Sequence, residues 1–207
     1  MKIRFPLLIT ACLLLPSVHL AIAADAPAAR SGQYEALLIA ISGDKLSGVF
    51  SEQRVGNGTN DAPQFSCVFT ISGTLRGDHA DITTRMPDMS TTIAGTIDFT
   101  NEGLGLTLKE SHGGCDNVSG DMTREPFTLS RVSEGKDWTG VALIRARKVV
   151  LNADPAPTTR RKPYLVGDDP VAILGRKGDW IKASYVAGEK PVTGWVKASD
   201  LDMRSAK

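Results

Sequence analysis

Short runs in which apolar and polar residues alternate, broken every few positions by turn residues, constrain this chain more than any other feature of it. Runs of this kind span residues 34–41, 46–51, 65–75, 80–85, 91–99, 104–109 and 127–132. Each is rich in Val, Ile, Thr and Phe, residues that suit a pleated, half-buried surface. Phe65, Cys67, Phe69 and Ile71 share one face at period two. Leu104, Leu106 and Leu108 do the same, and Ile93, Ile97 and Phe99 form a third such side with a gap at Gly95. Between the runs lie Ser42-Gly43-Asp44, Gly56-Asn57-Gly58, Arg76-Gly77-Asp78, Asn101-Glu102-Gly103 and Gly113-Gly114, compositions that turn a chain back on itself. No long window carries the i, i+3, i+4, i+7 spacing of a helix. The fold class expected is therefore all-β. Residues 32–133 should form an antiparallel β-barrel or a two-layer sandwich, and the short hairpins favour an up-and-down barrel. The Gly-x-Ile/Leu-x-Phe/Leu rhythm resembles lipocalin-like or avidin-like barrels, and only loosely.

The first residues read as an export signal. Lys2 and Arg4 precede an apolar run over residues 5–15, and Ala21-Ile22-Ala23 offers a small-residue cleavage site. Pro6 and Pro16 interrupt the run, which is too short to span a bilayer. Ile9-Thr10-Ala11-Cys12 has the look of a lipidation site, but the chain beyond Cys12 stays apolar where a polar tether would begin. Cleavage near Ala23 and a periplasmic or secreted location are expected. Residues 24–31 then form a polar leader, expected to be disordered.

Of three cysteines, Cys12 goes with the signal and Cys67 and Cys115 remain. Two cysteines in an oxidising compartment are most simply a disulfide. It would close a loop of about 49 residues and contribute roughly 3–5 kcal/mol in the chain-entropy account.

Charge divides the chain. Residues 24–139 carry 9 Lys+Arg against 16 Asp+Glu, a balance of −7, whereas residues 140–207 carry 13 against 7, a balance of +6. Two domains with different partners, or two that attract each other, fit such asymmetry. Residues 134–140 are the polar junction, residues 141–202 a second β domain, and residues 203–207 a tail. In the second domain three phrases follow one another: YLVGDDPVAIL (164–174), GDWIKASY (178–185) and GWVKASDL (194–201). Together and at this spacing they resemble a bacterial SH3 domain. The resemblance covers the last third of the chain and implies a small SH3-like β-barrel that binds rather than catalyses. Its partner would be cell-wall peptide or an exported protein. The binding residues expected are Tyr164, Trp180, Tyr185 and Trp195, whose rings offer large contact area with a polar handle. Arg160 and Arg161, beside Lys162, would meet anionic groups.

Other chemistry has less support. Ser111-His112-Gly113-Gly114-Cys115 resembles the nucleophile run of L,D-transpeptidases, where a cysteine attacks peptidoglycan, but an extra glycine interrupts it and Asp116-Asn117 follows it. A catalytic cysteine needs thiolate character and an adjacent base. With Cys67 available, the structural bond is the better expectation, and a Cys115 enzyme is the lesser alternative. His79, His112, Asp78, Asp81 and Asp116 have no metal-ligand spacing, and no cofactor fingerprint occurs. The expectation is a non-enzymatic protein with no metal, no cofactor, no nucleic-acid partner and no membrane span. An alternative is an inhibitor or immunity-type protein whose acidic β domain blocks a lytic enzyme or toxin through charge complementarity.

Overall fold

The computed structural model describes residues 29–54, 65–156, 164–186 and 190–203. The export signal, most of the leader, most of the tail, and Arg160 and Arg161 fall outside them. Among the described residues no helix is long and apolar enough to cross a membrane.

Eight antiparallel strands close an up-and-down barrel: β1 (Gly32–Tyr34), β2 (Leu37–Ser42), β3 (Lys45–Arg54), β4 (Phe65–Arg76), β5 (His79–Arg85), β6 (Ile93–Phe99), β7 (Gly103–Leu108) and β8 (Phe127–Glu134). Neighbours in sequence pair in space, and β8 returns to β1 to close the ring. Alternation puts Tyr34, Leu37, Ile39, Phe50, Cys67, Phe69, Ile71, Ile97, Leu106 and Leu108 inside, all essentially inaccessible to solvent. Phe50 stacks on Phe69 with ring centroids 4.9 Å apart, and Phe127 meets Phe50 edge-on at 6.1 Å. Side chains thus fill the barrel, as the girth of an eight-stranded barrel permits. Gly95 is the gap in its strand because a Cβ there would collide with the Thr107 carbonyl oxygen.

One expected strand is two. The run over residues 34–41 is cut at Glu35-Ala36, and Tyr34 pairs back onto Leu37. Glu35 takes φ 49°, a left-handed conformation that a glycine or asparagine would normally advertise. Its carboxylate accepts a hydrogen bond from the Ser130 amide at 2.9 Å, which compensates locally. The short β1 so created supplies the pairing that closes the barrel. Phe65 also departs from expectation: it begins β4 partly exposed, while Cys67, Phe69 and Ile71 keep the inward face.

The C-terminal region forms a five-stranded sheet in the order β14-β13-β12-β9-β15, from β9 (Gly140–Ile144), β12 (Pro170–Lys177), β13 (Trp180–Tyr185), β14 (Val192–Lys197) and β15 (Leu201–Asp202). A two-stranded ribbon of β10 (Lys148–Val150) and β11 (Tyr164–Val166) folds over it. Ala142, Ile144, Val149, Leu165, Val171, Ile173, Ile181, Ala183 and Val196 make its core. A 3-10 turn, Ala198–Asp200, precedes β15.

The two units dock. Every residue of β9 is buried. Ala142 and Ile144 face the sheet's own core, while Val141 and Leu143 pack on Leu38, Ala40, Val49 and Val68, which stand on the outside of the barrel wall. Trp138 and Val186 border that contact. The Val141 amide donates to Ser47 Oγ at 3.1 Å. Arg85 and Asp202 form a largely buried ion pair across the junction at 3.3 Å, their side chains 12 % and 9 % exposed. Removing one member of such a pair strands a charge and costs roughly 3–5 kcal/mol, whereas an apolar pair of similar volume does not. Denaturant unfolding should therefore find Asp202→Leu, which leaves the Arg85 guanidinium buried without its carboxylate, strongly destabilised, and Asp202→Leu with Arg85→Met restored towards the parent. A single variant as stable as the parent would mean that the contact does not hold the units together.

Candidate functional site

The cysteines decide what the barrel is not equipped to do. Cys67 lies mid-strand on β4, and Cys115 opens a 3-10 turn, Cys115–Asn117, after a glycine in the left-handed region. Their sulfurs are bonded, with Cα atoms 4.8 Å apart and the residues 48 positions apart in sequence. Both are buried in the barrel core, so the expected pairing is present and Cys115 has no free thiol. The bond ties the loop after β7 to the barrel wall, and Arg54 reinforces it by donating to the Asn117 carbonyl at 3.1 Å.

His112, three residues before Cys115, is also a structural residue. It is 5 % exposed and stacks on Phe69 at 4.8 Å. Its Nε2 lies 2.7 Å from Thr84 Oγ1, whose hydroxyl proton goes to the Ile93 carbonyl at 3.1 Å. Thr84 must then accept, which places the ring proton on Nε2. Burial holds the His112 pKa below the ordinary histidine value. Ser111 turns its hydroxyl to Asp116 at 2.6 Å. The side chains of the serine, histidine and cysteine of this run are thus engaged by Asp116, Thr84 and Cys67 respectively, and not by each other's side chains. His79 is the opposite case. It stands on the exposed surface with Nδ1 2.6 Å from Asp98, and that hydrogen bond raises its pKa.

A concave surface lies instead on the C-terminal sheet. A groove of about 300 Å³ is lined by Lys148, Val149, Val150, Asn152, Trp180, Val196, Lys197 and Asp200. One wall is the β10 arm and the segment after it. The other is the end of the β13–β14 ladder, where Trp180 pairs with Lys197. Asn152 fixes the first wall to the second. Its amide and carbonyl bond the carbonyl and amide of Trp195 at 2.9 and 2.8 Å, and its side chain donates to the Trp195 and Val150 carbonyls.

The expected binding residues are distributed unevenly about this groove. Trp180 lines it, half-buried. Trp195 is also half-buried and stands one diagonal step from Trp180 on the same face of the ladder, since Trp195 pairs with Lys182 and Trp180 with Lys197. Tyr164 is exposed on β11, and Lys148 holds its Nζ 3.8 Å above that ring. Tyr185 is elsewhere. At the far end of β13 it enters a separate cleft of about 400 Å³ between barrel and sheet, beside Glu35, Leu38, Asp169 and Pro170. Burial, and then Asp169, raise its phenol pKa. Sequence reasoning did not reach Lys148, Asn152, Lys197 or Asp200 as groove residues. Single lysines and an asparagine in loop-like sequence carry no signal until the β10 arm folds across β14.

The two histidines make these assignments measurable. A histidine held neutral by burial contributes stability that is present above the ordinary pKa of about 6.5 and is lost as pH falls below it, because the unfolded chain then binds the proton more tightly. In a proton NMR titration of the folded protein, His112 should titrate below about 6.5 and His79 above it. With His79→Gln, which removes the opposing stabilisation that the raised His79 pKa gives at low pH, the chain should unfold more easily at about pH 5 than at about pH 7. A His112 resonance titrating at the ordinary value would refute its buried placement. Searches against protein-family models, curated proteins and solved structures match nothing to this chain.

Proposed function

We propose that this is an exported, non-enzymatic recognition protein whose C-terminal sheet is an SH3-like module binding an extended peptide, from the cell wall or from a protein partner, beside Trp180. The observation that carries the reading is the groove between the β10 arm and Trp180. It is lined by the aromatic Trp180, by the apolar Val149 and Val196, and by charged groups of both signs, Lys148, Lys197 and Asp200. Few, well-placed polar groups around an apolar floor are what a ligand groove requires. The SH3-like reading is supported by the strand order, by the ribbon that folds over the sheet between its first two strands, and by the 3-10 turn before the last strand. Lysines at the rim suit peptide carboxylates.

The disulfide agrees with export, since such bonds persist in oxidising compartments. The barrel then acts as a rigid mount, its interior occupied by side chains and its outer wall by the docked sheet.

Sedimentation with purified sacculi, stripped of accessory polymers, tests this. The protein should pellet at low salt, and Trp180→Ala should lower the bound fraction about tenfold while leaving the thermal transition within a few degrees. A protein that stays in the supernatant, or a Trp180→Ala variant that pellets like the parent, would remove wall peptide as the ligand.

A further inference from the structure

One face of the five-stranded sheet is divided in two. At β9 it is covered by the barrel, through Val141 and Leu143. At the β12–β13–β14 end it is uncovered, and the register there sets out a regular array. Lys177, Trp180 and Lys197 lie in one cross-strand row, and Gly175, Lys182 and Trp195 in the next. Ile181 and Val196, the intervening pair, are buried in the core on the other side, so both rows point away from it. Diagonal neighbours in such a ladder are roughly 7–8 Å apart, which puts the two indoles within reach of a single ligand with Lys182 beside them.

Two further observations mark this face as unsatisfied. Lys177, Lys182 and Lys197 are exposed, as is Lys148 across the groove, and none of the four is ion-paired among the described residues. The space above Gly175 is open, with nothing within 4 Å of where a Cβ would stand, so the second row has a floor rather than a side chain at β12. The nearest carboxylates on the same elements are Asp179, in the β12–β13 turn, and Asp200, in the groove.

We propose that this face binds an anionic polysaccharide, with sugar rings lying on Trp180 and Trp195 and the anionic groups met by Lys177, Lys182 and Lys197. Indole faces offer large, rigid contact area to the apolar side of a sugar ring. Unpaired lysines supply charge that releases counterions on binding, and ammonium groups accept carboxylate or ester anions without demanding bidentate geometry. The disulfide, which belongs to an oxidising compartment, favours a glycan over a nucleic acid. The inference rests on the reading of this sheet as a recognition module. It places a second ligand beside the peptide groove: Lys177 and Lys182 are outside that groove, whereas Lys148 and Lys197 line it.

Affinity electrophoresis of the full protein separates the possibilities, using gels containing polygalacturonate, dextran sulfate or neutral dextran. Polygalacturonate or dextran sulfate should retard the protein and neutral dextran should not; the stronger of the two retardations identifies the preferred anion. Lys177→Glu with Lys182→Glu should weaken retention at least tenfold and flatten its salt dependence by about the two contacts removed. Trp195→Phe, which keeps an apolar ring, should weaken it less than Trp195→Ala. The lysine double variant should still pellet with stripped sacculi, and a parent protein that the anionic polymers retain but that stays in the supernatant with sacculi would count against the peptide groove alone. No retention by either anionic polymer, full retention by the lysine double variant, or equal retention by duplex DNA would each overturn the glycan assignment.

Discussion

The burial of β9 on both faces is the constraint from which the rest of this architecture follows. Ala142 and Ile144 belong to one core and Val141 and Leu143 to another, so a five-residue strand serves two hydrophobic clusters. A strand with one wet face alternates apolar and polar residues, and a strand covered on both sides cannot. The run Gly-Val-Ala-Leu-Ile is therefore apolar throughout. The barrel answers it with an equally continuous run in β2, where Leu37 and Ile39 face inwards and Leu38 and Ala40 outwards. Because β9 is the part of the sheet that docks, the β13–β14 end is the part left to solvent.

The disulfide performs a more local task. Residues 109–126 make a long connection between β7 and β8 with little regular structure of its own, and a connection of that length needs fixing if it is to be ordered. The Cys67–Cys115 bond, the Arg54 contact and the His112–Thr84 hydrogen bond fix it at three points. A histidine and a cysteine close in sequence thus serve the same end by different physics, one by a covalent link and one by packing on Phe69. Sulfur and imidazole near each other suggest catalysis only while the sulfur is free.

Much of this was legible beforehand, because period-two alternation is a local property. The strands of the barrel, their inward faces at Cys67, Phe69 and Ile71, and the gap at Gly95 can all be read from neighbours in the chain, and the pairing of the two cysteines follows from their number and the expected compartment. Three things were not legible. The turn at Glu35 lacks the residues that usually allow a positive φ, and its stabilising partner, Ser130, is 95 positions away. Trp138 sits in polar sequence yet packs at the junction, where it also lies against Gly135. The rows of lysine and tryptophan combine three strands, and a row exists only once the register does.

From the chain alone came the all-β class, the alternation that drives a closed barrel, the brace between its two cysteines, and the aromatic residues Tyr164, Trp180, Tyr185 and Trp195 as candidates for recognition. Tertiary structure decided which of those aromatics lie together: Trp180 and Trp195 share a face of the β13–β14 ladder and Trp180 lines the groove, Tyr164 lies under Lys148 on the ribbon, and Tyr185 faces a different cleft. The reason is that side-chain direction along one strand follows from counting residues, whereas proximity between strands depends on pairing register and on which face a neighbouring unit covers. Counting is local. Covering is not.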